Sequence, residues 1–257
     1  MAYCLVQTEL TKPPEEAIRR AFESVEELTD LDAGFACRDA YGILVERLDY
    51  EQARTLQRAL AGQGIATELL DEADLPELPA AVKFRRAEVG DGGLVILDAL
   101  NRPRLKPWPS VEIVAAGCVR MIERQRIQTQ RTKLTGVGMS GRFAVVPVVV
   151  TDVHHKELQK DNLVLEVYCR GEGGLERHRA FGDQFRYDAL GDRMDKSYAV
   201  NFARMAREVI DRATDARRNR GAAAIADGGR RTCRYPSRHA FEEETVWLLR
   251  RGEAEPA

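Results

Sequence analysis

The chain reads as an α+β protein: a small β-α-α-β-α-β open sandwich, then a β-rich, barrel-like domain that ends in a helix. Three observations predict this. Apolar spacing over the first 70 residues mixes the helical period with strand alternation. Beyond residue 80 the spacing is mainly that of strands until about Ser197. Between these stretches, Leu75-Pro76-Glu77-Leu78-Pro79 places two prolines close together, which reads as a boundary. Charge divides the chain at the same place. Up to Asp74 sixteen acidic residues face seven basic ones, a balance of −9; the whole chain carries −2, so the remainder carries +7. The expected organisation is therefore residues 1–76, 77–214 and 215–257.

In the first segment, Tyr3 to Leu10 forms a strand, stopped by Pro13-Pro14. Proline suits a first helical turn, where its missing N–H has no partner anyway. Glu15 and Glu16 then favour the positive end of the helix dipole. Ala17, Ile18, Ala21, Phe22 and Val25 recur at the helical period. A second helix covers Leu31 to Ala40, with Thr29 or Asp30 as its cap. Tyr41 to Leu48 returns as a strand. Asp49 caps a third helix whose inner side carries Ala53, Leu56, Gln57 and Leu60, with Gly62 and Gly64 ending it. Ile65 to Leu70 closes the segment as a strand, with the helices on one face of the sheet.

The run from Leu48-Asp49-Tyr50-Glu51-Gln52-Ala53 through Leu60, followed by Gly64-Ile65-Ala66-Thr67-Glu68-Leu69, resembles the last helix and strand of the ribosomal stalk protein's C-terminal domain. The Clp-protease adaptor has a related fold. The resemblance covers about residues 1 to 74 and implies a module that binds other proteins and catalyses nothing. Where the stalk domain has a glycine- and lysine-rich helix junction for factor binding, this chain has Glu26-Glu27-Leu28-Thr29-Asp30, which is acidic. No binding residue carries across.

In the second segment, Gly92-Gly93 turns into a strand at Leu94 to Leu97, and Leu100 to Pro103 turns back into Arg104 to Trp108. Val111 to Val119 continues as an apolar stretch. Phe143 to Val153 and Asn162 to Cys169 are β, the latter alternating Leu163, Leu165 and Val167 with Glu166 and Tyr168. His178 to Phe181 adds a further strand. From Ser197 the period changes, and Tyr198, Phe202, Met205, Ala206, Val209, Ile210 and Ala213 mark an amphipathic helix. The glycine turn, the short hairpin and Pro107-Trp108 resemble those of bacterial pleckstrin-homology-like domains. That resemblance implies binding of phospholipid headgroups or proteins, and makes the span Arg120 to Ser140 an insertion. After Ala213 an Arg-, Ala- and Gly-rich stretch through Gly229 reads as a flexible linker. Ser237 then caps a short last helix with Phe241, Thr245, Leu248 and Leu249 on one face.

With 44% hydrophobic and 31% charged residues the chain is a folded globular protein rather than a disordered or fibrous one. Its longest apolar run, Phe143 to Val150, is interrupted by Pro147 and falls far short of the roughly 20 residues that span a bilayer. The N-terminus shows no basic segment followed by an apolar one, so no secretory signal is expected and the expected location is cytoplasmic. Five cysteines (Cys4, Cys37, Cys118, Cys169 and Cys233) without a C-x-x-C pair read as reduced structural thiols. His154 and His155 are adjacent, and His178 and His239 stand alone, so no metal site is expected.

Gly136-Val137-Gly138-Met139-Ser140-Gly141 matches the G-x-G-x-x-G pattern. A dinucleotide cradle needs a strand before it and a helix after it, and here a β run follows; it reads as a loop. Asp183, Asp188, Asp192 and Asp195 around Phe185-Arg186-Tyr187 read as turn and cap residues, with an unrecognised hydrolase as the catalytic alternative. Two arginine-rich runs are the candidate anion- or partner-binding elements. Arg120, Arg124, Arg126, Arg131, Lys133 and Arg142 against Glu123 carry +5, and the tail from Arg212 to Arg238, which holds Arg217 and Arg218, carries +6. Neither is interleaved with stacking aromatics. The expected function is a non-catalytic interaction or adaptor protein, without cofactor, that binds another protein. Nucleic acid or anionic lipid held by the arginine runs is the alternative, and the acidic segment of another copy could meet the same charge.

Overall fold

The computed structural model describes residues 1–39, 41–98, 100–139, 142–228 and 233–254, and the side chains of all of these except residues 39, 123–139, 142–158, 253 and 254. The first 74 residues follow the expected order. Strand β1 (Tyr3–Gln7) leads to α1 (Glu15–Phe22), α2 (Asp30–Asp39), β2 (Ile43–Leu48), α3 (Tyr50–Gly62) and β3 (Thr67–Asp71). The sheet is antiparallel with order β2-β1-β3. Local chemistry sets the helix starts: Thr29 and Asp32 bond reciprocally at the start of α2, and Asp49 and Gln52 form a capping box on α3. One sheet face, with Leu5, Leu44 and Leu48, buries against Ile18, Phe22, Leu56 and Leu60 of the helices.

Strand β2 is irregular. Tyr3 pairs with Leu48, Leu5 with Val45 and Val6 with Ile43, so β2 inserts an extra residue twice within six positions. Arg47 adopts φ 63°, and its N–H donates to the Glu72 carboxylate. Bulges of this kind turn side chains away from the alternation of a flat strand.

The second part is built on a six-stranded sheet. Strand β4 (Ala81–Lys83) precedes a separate antiparallel meander of β5 (Arg86–Gly90), β6 (Gly93–Leu97) and β7 (Pro103–Pro107). Strands β8 (Val111–Met139), β9 (Arg142–Gly171) and β10 (Gly174–Phe181) form the centre of the large sheet. Helix α4 (Tyr198–Arg212) is followed by β11 (Arg217–Arg218), α5 (Arg220–Ala226), β12 (Arg234–Tyr235) and α6 (Arg238–Ala254). Phe202, Met205, Ala206, Val209 and Ile210 of α4 bury on Leu165 and Val167 of β9 and on Leu94 and Ile96 of β6.

Three expectations are corrected. The barrel-like domain does not close among the described residues. Strand β4 takes one edge of the large sheet, β11 and β12 take the other, and the sheet ends there. The span Arg120 to Ser140, expected as an insertion ending in a glycine loop, continues β8 through Met139, consistent with the β-forming residues Ile127, Thr129, Thr132 and Val137. Ser140 and Gly141 lie outside the described residues. Finally, the tail is not a linker with a short helix: it supplies two strands, a helix and a 17-residue α6.

Asn219 explains how that tail holds to the sheet. Strands β11 and β12 pair with β8 at Ile113–Val114 and at Cys118–Val119, leaving a gap at Ala116. The fully buried Asn219 amide fills it: Oδ1 accepts from the N–H groups of Ala116 (2.9 Å) and Ala222 (2.8 Å), and Nδ2 donates to the Ala116 carbonyl (3.2 Å) and the Tyr235 hydroxyl (2.8 Å). One side chain thus replaces a strand residue and caps α5. The backbone approaches so closely that a Cβ on Gly221 would lie 1.8 Å from the Ala116 carbonyl oxygen, which explains glycine there.

By contact the chain divides into two compact units, residues 1–120 with 162–257, and residues 121–161. The proline pair near residue 76 therefore parts two hydrophobic cores without parting two compact units, and α6 packs against elements on both sides of it. Its Val246 and Trp247 cover the sheet face formed by Cys4, Val6 and Ile43, while Phe241 stacks edge-on against Tyr235 at 5.0 Å.

Candidate functional site

Helix α6 is the element around which the charged chemistry gathers. Ser237 caps it, its Oγ accepting from the Ala240 N–H at 3.0 Å. Successive residues then reach different neighbours, as the 3.6-residue period requires.

Glu242 meets the large sheet. On that face of β9 and β10, Glu166 accepts from Arg177 through Nε and Nη2 at 2.9 Å each, from Arg179 Nε, and from the Tyr168 hydroxyl at 2.5 Å. Glu242 closes the network on Arg177, on Arg179 (2.8 Å) and on Arg238 (2.8 Å). Glu166 and Tyr168 have no exposure at all, and Arg177 and Arg179 almost none. Burial opposes the charge on Glu242, but Arg177, then Arg238 and Arg179, outweigh it and hold its carboxyl at about 2. The Tyr168 phenol is pushed far up, by burial first and by Glu166 next. The network is saturated with mutual bonds, an arrangement of structural ion pairs rather than of a group poised to transfer a proton.

Glu244 points the other way, into the tail. It accepts from the N–H of Arg220 at 2.6 Å and from its Nε at 3.1 Å. The Arg220 guanidinium lies between the Tyr41 and Tyr235 rings, 4.0 and 4.7 Å from their centroids. Burial raises the Glu244 carboxyl and Arg220 restrains it.

The third cluster lies at the surface, where α6 passes β2. His239 Nε2 lies 3.3 Å from Glu243 Oε1, one turn along α6, and 3.6 Å from Glu46 Oε2 on β2. Three donor atoms, one per residue, fall within 4.8 Å of one another. Glu46, then Glu243 and Glu242, push His239 up to about 9 against its partial burial. His239 in turn, with Arg47 adding, lowers the Glu46 carboxyl against burial. The group borders a cavity of about 440 Å³ that also touches Glu27, Asp32 and Gln52. His239 stands alone in sequence but not in space. The spacing His239-x-x-x-Glu243 was the legible part of this cluster; Glu46, far upstream, was not.

The residues singled out from sequence fall elsewhere. Arg124, Arg126, Arg131 and Lys133 belong to β8 in the unit 121–161, and their side chains lie outside the described residues. Arg217 donates to the carbonyls of Leu248 and Leu249 near the end of α6 and pairs with Glu112 at 3.8 Å. Arg218 donates to the Ile210 carbonyl in α4 at 3.1 Å. Arg218 thus binds a carbonyl in the last turn of α4, a favourable position for a cation, whereas Arg217 binds carbonyls inside α6. A cavity of about 1160 Å³ runs along α4, bordered by Asp192, Asp195, Ala199, Ala203, Glu208 and Ile225. Asp195 accepts from the Ser197 N–H at 2.9 Å, a turn role, and Glu208 pairs with Arg193.

No protein-family model, curated protein or solved structure matches the chain. Among the described residues no helix is long and apolar enough to cross a membrane.

Proposed function

We propose that this is a non-catalytic interaction protein that works by binding another protein through residues 121–161, and that the partner of matching chemistry is a second copy of the chain. The observation that carries this reading is the make-up of that unit. It consists of stretches of two neighbouring strands, β8 and β9, with no helix among its described residues. A two-stranded ribbon has no second layer of its own and is at best marginally stable in water. Phe143-Ala144-Val145-Val146 and Val148-Val149-Val150 place apolar residue types at consecutive strand positions, a pattern suited to a strand covered on both faces. Such a ribbon needs cover from outside. Its strand β8 bears the basic run that includes Arg124, Arg126, Arg131 and Lys133, while residues up to Asp74 carry −9, so two copies offer opposite charges to each other.

Light scattering on the full chain across protein concentration and salt tests the proposal. The expected result is a mass above one chain at low salt, falling towards one chain as salt screens the attraction. The quadruple variant Arg124→Glu, Arg126→Glu, Arg131→Glu, Lys133→Glu is expected to stay at the mass of one chain throughout. A wild-type protein of one-chain mass under every condition overturns the proposal. So does self-association that the variant keeps in full. The arginine-rich alternative is read in the same experiment: salt-sensitive binding to mixed-sequence DNA or anionic vesicles by a protein that stays monomeric favours it over self-association.

A further inference from the structure

We infer that Glu46, His239 and Glu243 form a binding site for one divalent transition-metal ion of the zinc class, held between β2 and α6. A charge-assisted hydrogen bond between an imidazole and a carboxylate closes to about 2.7–2.9 Å. Here His239 Nε2 stands 3.6 Å from Glu46 Oε2 and 3.3 Å from Glu243 Oε1, both longer than that, and the two carboxylates approach the same nitrogen. Around a tetrahedral ion with ligands at about 2.0–2.1 Å, neighbouring donor atoms lie about 3.3–3.4 Å apart. The two measured edges bracket that value, and the third, between the two carboxylates, lies within 4.8 Å and shortens when both turn onto one ion. The spacing is one that three groups around a shared cation can adopt.

The backbone supports the same assignment. His239 and Glu243 sit one turn apart on α6, the i, i+4 spacing that lets two side chains of a helix share a ligand. Glu46 reaches them from β2, where two inserted residues and the positive φ of Arg47 break the strand's alternation beside it. Bulges are a recognised means of aiming a side chain at a site. One imidazole with two carboxylates is a donor set for Zn²⁺, Mn²⁺, Fe²⁺ or Co²⁺ rather than for Ca²⁺, which takes six to eight oxygens. Three protein ligands leave a fourth position, and the cavity of about 440 Å³ bordered by Glu46, His239 and Glu243 gives it room for water or a small anion. Arg47 on β2 acts on Glu46 and Glu242 on α6 acts on His239, with Glu27 and Asp32 along the cavity. The net negative surroundings favour a cation.

The test is zinc titration of the chelator-stripped, full-length protein by calorimetry, with metal content measured after dialysis. One equivalent of zinc is expected, with affinity at least tenfold weaker in His239→Ala and in Glu243→Gln. Glu46→Gln tests the strand's share and is expected to weaken binding in the same way. Cobalt replaces zinc for an optical reading, and the wild type is expected to show the d–d absorption of a four-coordinate ion that His239→Ala lacks. His239 is largely exposed, and circular dichroism of each variant shows whether the helices persist. Less than a fifth of an equivalent of zinc retained by the wild type overturns the inference. Equal binding by wild type and a folded His239→Ala also overturns it, because the ion is then held elsewhere.

Discussion

Replacing Glu166 by Gln keeps the shape of the buried network and removes its central charge. The carboxylate accepts three bonds from two guanidinium groups and one from Tyr168, and none of these partners has more than slight access to water. The amide turns one acceptor oxygen into a donor that faces Arg177 or Arg179. It also leaves two buried positive groups opposite Glu242 alone. Burial by itself would lower the Arg177 pKa; Glu166 overturns that and raises it, so removing the charge leaves the desolvation cost uncompensated. Breaking one partner out of a buried ion pair costs about 3–5 kcal/mol. Taken against a urea slope of about 3 kcal/mol/M, that is a fall in midpoint of roughly 1 M or more. Equilibrium unfolding followed by the fluorescence of Trp108 and Trp247 measures it, provided the slope is unchanged between proteins. The triple variant Glu166→Leu, Arg177→Met, Arg179→Leu removes the charges together and is expected to recover most of the loss. A loss below about 1 kcal/mol for Glu166→Gln, or a triple variant worse than the single one, refutes the reasoning.

Asn219→Ala removes four hydrogen bonds in the sheet gap and orphans both polar groups of Ala116, for an expected loss of about 3–5 kcal/mol in the same assay. Gly221→Ala places a methyl 1.8 Å from the Ala116 oxygen, so the tail must move away from β8; the expected result is destabilisation by about 2 kcal/mol or more and faster amide exchange in β11 and β12. Acid unfolding has a definite sign. The folded Glu242 carboxyl is held at about 2, below its ordinary 4.5, so its contribution is full above pH 4.5 and is lost as the pH falls from there through 2. The amount is of order 3 kcal/mol, and Glu242→Gln is expected to flatten that part of the stability profile. Burial pushes the Cys4 and Cys169 thiols up to about 12, so neither is expected to react with iodoacetamide at neutral pH until the protein unfolds, as peptide mapping of the alkylated protein reads.

Much of the fold was legible because its signals are local. Asp49 with Gln52, Thr29 with Asp32, and Ser237 before α6 are caps that a few consecutive residues specify. The stripe Phe202, Met205, Ala206, Val209, Ile210 marks α4 by period alone. The tail was not legible for a physical reason. Strands β11 and β12 are two residues each, too short for any alternation to show, and they pair with β8 because an asparagine side chain fills the gap between them. Arginine, alanine and glycine there read as a linker, yet Gly221 is needed for close approach and Arg217 and Arg218 bind carbonyls of α6 and α4. The cluster at β2 was hidden for a related reason. Helix spacing links His239 to Glu243, but only the bulges of β2 bring Glu46 beside them.

Helix α6 ties these observations together, and its sequence shows why a simple stripe does not describe it. A helix on a surface needs one apolar side, whereas one lodged among several elements needs a suitable partner in every direction. Phe241, Thr245, Leu248 and Leu249 fill the apolar contacts. Glu242 answers Arg177 and Arg179, Glu244 answers Arg220, and Arg251 bonds Glu68 at 2.8 Å and the Gln7 carbonyl at 2.9 Å. The Trp247 indole donates to that same Gln7 carbonyl at 2.7 Å. Charge on this helix therefore specifies where it docks, since a shift by one residue would set Glu242 and Glu244 against the wrong partners and bury both unpaired. His239 and Glu243 inherit their position from that register. A site built there needs no mobile loop to assemble it, because the contacts that fix α6 against β1 and the large sheet also fix the distance from its first turn to Glu46.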